Sequence, residues 1–91
     1  MDIQKGKNSF FIGNDENNPT AEVHFEKGEG NELVVDHTFV SEDLRGQGVG
    51  EKLFQHVVEY ARENQHKIIP LCSFARKQFE SHSEYQDLLA Q

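Results

Sequence analysis

Apolar and polar positions divide the chain into a strand-like first half and a helical second half. Ala21, Val23 and Phe25 alternate with Glu22, His24 and Glu26, the period of a strand with one face against a core. Ser9 to Ile12 is a shorter run of the same kind. The intervening Gly13-Asn14-Asp15-Glu16-Asn17-Asn18-Pro19 is dense in turn formers and predicts a hairpin connection. Lys27-Gly28-Glu29-Gly30-Asn31 marks the next turn. Leu33 to Val40 is the most apolar strand, expected to be central and covered on both faces. Together these runs predict a three-stranded antiparallel meander.

The period then changes. Val49, Leu53, Phe54, Val57, Val58 and Ala61 form one helical stripe, with Glu51, Lys52, Gln55, Glu59, Arg62 and Glu63 outside it. The helix is expected from about Gly48 to Asn64, with Asn64 as its stop. Lys67 to Cys72 reads as a strand whose Pro70 suits an edge or a splayed end. Phe74 to Leu89 reads as one or two short helices, with a restart near Ser83-Glu84-Tyr85. A strand, helix, strand succession implies a right-handed crossover, so this fourth strand should run parallel to the third. The fold class is α+β, in one domain spanning residues 1–91.

Composition narrows the function classes. The chain has 91 residues, 9 Lys+Arg against 16 Asp+Glu, and a formal net charge of −7. That acidity argues against general nucleic-acid binding, which uses a basic stripe; it also serves solubility. No apolar run exceeds the three residues of Leu33-Val34-Val35, far below the roughly 20 residues of a membrane span, and no targeting segment is visible at the N-terminus. Cys72 has no second cysteine to pair with, which suits a reducing cytoplasm. The histidines share no metal-ligand spacing with one another or with Cys72, so no metal site is expected. A domain this small has a thin core, in which seven Phe supply much of the buried area. A monomer or weak dimer is expected.

Between the third strand and the helix stands Ser41-Glu42-Asp43-Leu44-Arg45-Gly46-Gln47-Gly48-Val49-Gly50. Glycines at alternate positions permit close backbone approach, and the loop opens into a helix N-terminus, where free N–H groups favour anions. Arg45 adds a cation, so the spot should be locally positive and suited to a pyrophosphate. The glycines also suffice for a tight turn alone. The spacing is not that of a Rossmann loop, which needs glycine at position 51, nor of a Walker loop, which needs Gly-Lys-Ser/Thr.

Arg45-Gly46-Gln47-Gly48-Val49-Gly50 resembles the coenzyme A pyrophosphate motif of the GNAT N-acetyltransferase superfamily. Pro70 to Ala75, with His82 to Leu89, is similar to its short YjdJ-type branch. The resemblance implies a GNAT-like fold, acetyl-CoA as the coenzyme, and a small-molecule or protein amine as acceptor. It places the pyrophosphate on Arg45 to Gly50 and the pantetheine arm between the splayed ends of the third and fourth strands. The implied coenzyme-binding set is Phe39, Val40, Arg45, Gly46, Gln47, Gly48, Val49, Gly50, Cys72, Phe74 and Lys77. The superfamily's frequent Asn-x-x-Ala-x-x-x-Tyr is here Cys72 to Phe79. The position of its proton-donating tyrosine is therefore Phe79, which cannot donate.

Acetyl transfer requires a deprotonated amine, a polarised carbonyl and a fate for the thiolate. Asp36 and His37 are the candidate bases. Cys72, which the resemblance sets beside the pantetheine arm, is a candidate acyl acceptor. Each has an alternative: a buried inert thiol for Cys72, a hydrogen-bonded core histidine for His37, and a structural partner for Asp36. By strict alternation His37 would share a face with Leu33, Val35 and Phe39, and Asp36 with Val34, Thr38 and Val40. Tyr85 is a distant candidate acid. The readings are an acetyl-CoA-dependent N-acetyltransferase, a coenzyme A-binding or interaction module with little catalysis, or disulfide exchange between Cys72 and coenzyme A. In so short a chain the acceptor site should be open, shallow or completed by a partner.

Overall fold

The computed structural model describes residues 2–90. Five strands, β1 (Gln4–Lys5), β2 (Ser9–Ile12), β3 (Ala21–Lys27), β4 (Glu32–Val40) and β5 (Lys67–Pro70), form one sheet in chain order. β1 to β4 are antiparallel, and β5 lies parallel to β4. α1 (Val49–Glu63) makes the crossover, and α2 (Ser73–Ser81) and a 3-10 segment, Ser83–Leu88, follow β5. The predicted α+β order is present, with one strand added at the edge. Gln4 and Lys5 are both exposed, so no apolar alternation announces them.

α1 begins after Gly48 and stops at Asn64. Gln65 takes a left-handed φ of 59°, and the His66 N–H reaches the Ala61 carbonyl at 2.8 Å, closing the helix end. The apolar stripe of α1 is buried from Val49 to Ala61. It packs on Ala21, Val23, Phe25, Leu33 and Val35 of the sheet. Phe54, fully buried, meets the rings of Phe74, Phe79 and Tyr85. Burying one such side chain contributes about 1.5–3 kcal/mol. These ring contacts place α2 and the 3-10 segment on the same side of the sheet as α1.

β4 is therefore not covered on both faces. Asp36, His37 and Phe39 are exposed and Val34 is half-buried. The alternation also breaks. His24 opposes His37, yet Phe25 opposes Val35, which leaves Asp36 as an extra residue in the ladder. Such a bulge reverses the side on which later residues lie. Thr38 and Val40 oppose Val23 and Ala21 and so join Leu33 and Val35 on the α1 side. His37 and Phe39 lie with Val34 on the open side. The expected grouping of His37 with Leu33 and Val35, and of Asp36 with Thr38 and Val40, is corrected by this one-residue shift.

Candidate active site

β5 pairs with β4 only from Glu32↔Lys67 to Val35↔Pro70. Leu71 N–H and Cys72 N–H then converge on the Val35 carbonyl, at 3.0 and 3.2 Å. β4 continues to Val40 without a β5 partner, so the two strands part beyond Val35. Across that gap Cys72 Sγ lies 3.6 Å from Thr38 Oγ1. Cys72 is half-buried, whereas its neighbour Leu71 is 56% exposed.

The loop after β4 is built from a short 3-10 turn, Glu42–Leu44, and two left-handed glycines, Gly46 (φ 81°) and Gly48 (φ 71°). Among the described residues, no atom beyond the chain neighbours lies within 4 Å of where a Gly46 Cβ would stand, and at Gly48 only the Glu51 carboxylate does, at 3.6 Å. The first main-chain bond of α1 is Lys52 N–H to the Gly48 carbonyl, 3.1 Å. The N–H groups from Gly46 to Glu51 donate to no backbone carbonyl among the described residues. Gly50 is a glycine for a different reason. A Cβ there would sit 2.9 Å from the Phe74 ring, so its absence lets α1 and α2 approach.

A cavity of about 270 Å³ joins these parts, bounded by Thr38 and Val40 of β4, the loop, the first turn of α1, and Phe74 and Gln78 of α2. Of the expected coenzyme-binding residues it brings together Val40, Arg45, Gly46, Gly48, Val49, Gly50 and Phe74. Cys72 adjoins it through Thr38. Phe39, 40% exposed, points to the other side of β4. Gln47 turns back to donate to the Asp43 carbonyl, and Lys77 is exposed on α2 outside the lining. Thr38, Leu44, Glu51 and Gln78 complete the lining and were not anticipated; only the bulge turns Thr38 inward. Arg45 Nε donates to the Val40 carbonyl at 3.0 Å. One cation, Arg45, and one anion, Glu51, line the cavity, so side-chain charge is balanced and the free amides supply the positive character.

On the open side His37 is solvent-exposed, not a core histidine. Asp36 Oδ1 lies 2.8 Å from His24 Nδ1, and Glu26 Oε2 lies 3.4 Å from His24 Nε2. The three residues hold donor atoms within 4.8 Å of one another. Sequence spacing hides this group, because it is assembled across two strands and a bulge.

The model of a GCN5-related N-acetyl-transferase family matches residues 9–88. This chain belongs to that family. A GCN5-like protein from Staphylococcus aureus, an N-acetyltransferase by assignment and solved by NMR, is 50% identical with a TM-score of 0.82. The match covers 98% of this chain and 87% of that one. A crystal structure from Agrobacterium tumefaciens, an acetyltransferase by assignment, shares 29% identity and a TM-score of 0.57, covering 85% of this chain and 56% of that one. Ribosomal-protein-alanine N-acetyltransferase from Brucella melitensis biovar Abortus 2308 is similar in fold, at 20% identity and TM-score 0.55, over 91% of this chain and 62% of the other. No curated protein matches the sequence.

Within this GCN5-related domain two aromatic residues of the C-terminal part, Phe79 and Tyr85, belong to the core. Phe79 is buried against Phe54 and Tyr85. Tyr85, the distant acid candidate, is buried beside them and stacks on His82. Burial raises its pKa above the usual phenol value, with the Glu84 charge adding to the effect. It does not line the cavity. Among the described residues no helix is long and apolar enough to cross a membrane.

Proposed function

We propose that this GCN5-related chain is an acetyl-CoA-dependent N-acetyltransferase whose coenzyme lies between the Arg45–Gly50 loop and the gap between β4 and β5. The observation that carries this reading is one of adjacency: the free amides at the start of α1 and the strand gap holding Cys72 adjoin the same cavity. Six consecutive N–H groups without backbone partners fit a pyrophosphate. Arg45, with Nε committed to Val40, keeps its other N–H groups for phosphate oxygens. Gln47 takes part through its backbone N–H alone, and the side chains of Phe39, Gln47 and Lys77 have no part in this reading.

Acetyl-CoA supplies the acetyl group as an activated thioester. Backbone N–H groups on the free edge of β4 polarise its carbonyl. Cys72 gives up its thiol proton and forms a bond to the acetyl carbon; the coenzyme sulfur leaves and takes up the proton. An amine then displaces Cys72, breaking its C–S bond and restoring the thiol. The amine belongs to a small molecule or a protein, at an acceptor site open on the uncovered side of the sheet. A free thiol in that role suits the cytoplasm, and a monomer or weak dimer suffices. The sequence resemblance at Pro70 to Ala75 and His82 to Leu89 is what supports a place in the short YjdJ-type branch.

Intact mass after incubation with acetyl-CoA, alone and with a panel of amines, tests the route. The expected result is an added acetyl group that is absent in Cys72→Ala and lost when amine is supplied. Turnover without an adduct, retained in Cys72→Ala, would mean direct attack. A coenzyme-sized addition removed by reductant would mean disulfide exchange. Coenzyme binding with neither adduct nor turnover would leave a binding module and overturn the proposal.

A further inference from the structure

Three aromatic rings meet near the β1 edge of the sheet. Phe10 of β2, Phe25 of β3 and Tyr60 of α1 stand at the corners of a triangle, with centroids 6.3, 5.8 and 5.8 Å apart. Phe10 and Phe25 are buried, so core packing holds them in place. Lys5 lies opposite Phe10 in the β1–β2 ladder, which puts its side chain over the rings. Its Nζ caps the triangle, 5.0 Å from the Tyr60 centroid, 5.6 Å from Phe25 and 6.0 Å from Phe10.

A groove of about 240 Å³ adjoins the rings, lined by Lys5, Phe10, His56, Glu59, Tyr60 and Glu63. It shares no residue with the cavity beside the glycine loop. Glu59 and Glu63 form no salt bridge among the described residues. Two carboxylates against one lysine leave the groove formally negative, which attracts a cation. We propose that the ring triangle and its groove bind a methylated ammonium ion, with Lys5 as a built-in occupant that the ligand displaces.

Distance decides the ligand class. A methyl carbon touches a ring at about 3.5–4.0 Å and its C–N bond adds about 1.5 Å, so a methylated nitrogen stands roughly 5 Å from each ring. The observed 5.0 to 6.0 Å leaves the bare Nζ of Lys5 short of the rings and leaves room for methyl groups. The ring faces attract the positive charge, and a head without N–H groups gives up no hydrogen bonds to water on entering. Lys5 is suited to give way. Its strand is two residues long and exposed. Among the described residues its Nζ has the Gly6 carbonyl as acceptor, at 2.7 Å, and no carboxylate partner. One cation replaces another, and no covalent bond forms or breaks.

The test titrates the whole chain with choline chloride at constant ionic strength, followed by NMR. Its controls are 3,3-dimethyl-1-butanol, the uncharged isostere, and the primary butylammonium ion. The expected result is a saturable upfield shift of the choline methyl protons, with signal changes at Phe10, Phe25 and Tyr60. Both controls are expected to bind at least about tenfold more weakly. Lys5→Ala is expected to bind choline about three- to tenfold more tightly, because a competing occupant is gone. Tyr60→Ile should bind about tenfold more weakly. Lys5→Ala removes only an exposed side chain, so it keeps the test decisive if Tyr60→Ile does not fold. No saturable shift in wild type and Lys5→Ala up to about 50 mM, well above millimolar affinity, overturns the proposal. So does equal binding of either control, or affinity in Lys5→Ala that is unchanged or weaker. The outcome does not depend on acetyl transfer.

Discussion

On the α1 side of the sheet, Ala21, Val23, Phe25, Leu33 and Val35 are buried against a helix; on the other side, Glu22, His24, Glu26, Asp36 and His37 stand in the same strands and face water or are only half-covered. The first set holds the fold together, and the second gathers titratable side chains on the uncovered side. A strand serves both because successive side chains point to opposite sides. The division is not complete. At Asp36 the bulge exchanges the two sets, turning Thr38 and Val40 toward the cavity and His37 and Phe39 away from it. The cavity beside the glycine loop thus opens on the core side, while the titratable groups gather on the open side.

Paired substitutions test how far the two sides differ. Phe54→Ala, at the fully buried centre of the aromatic cluster, is expected to cost about 3–5 kcal/mol in urea unfolding. Phe39→Ala, on the open side, should cost about 1 kcal/mol or less. Comparable losses would break the comparison. The adjacent pair is sharper still. Val35→Ala should cost about 2 kcal/mol, with Val34→Ala under about 1 kcal/mol.

Gly48→Val probes the loop that borders both regions. A β-branched residue at φ 71° is strained by about 1–2 kcal/mol, and its side chain crowds the free amides. Coenzyme affinity is expected to fall about tenfold, roughly 1.4 kcal/mol, in a protein that remains folded by circular dichroism. Unchanged affinity in the folded variant would remove the loop from the coenzyme site.

The smallest effect concerns pH. Because burial raises the Tyr85 pKa, the unfolded chain loses that proton first. The resulting stability is complete below about pH 10, the ordinary phenol value, and is lost as pH rises through the higher folded value. Stability should therefore decline above about pH 10, by at most about 1.4 kcal/mol per pH unit for this group. Tyr85→Phe should flatten that limb, and an unchanged slope in denaturation curves at pH 9 to 11 would contradict the assignment.

Much of the fold is legible in the chain. The stripe from Val49 to Ala61 predicts α1 almost to the residue, because a helix and its stop at Asn64 are local matters. The loop from Arg45 to Gly50 is legible for the same reason, although its three glycines differ: two supply left-handed backbone and Gly50 makes room for Phe74. β1 is not legible, since Gln4 and Lys5 are strand only through pairing with Phe10 and Phe11. Nor is the face of His37, because strict alternation allows for no extra residue in a ladder.

Local periodicity and turn chemistry determined the α+β order, the parallel last strand and the glycine loop before a helix N-terminus. Those features depend on residues within a few positions of one another, so the sequence alone carries them. The tertiary structure decided the bulge at Asp36, the gap beyond Val35, the approach of Cys72 to Thr38 and the pairing of His24 with Asp36. Cys72 and Thr38 are 34 positions apart, and His24 and Asp36 are 12. Their meeting depends on strand register, which is fixed by the burial of a whole sheet face rather than by any neighbouring residue.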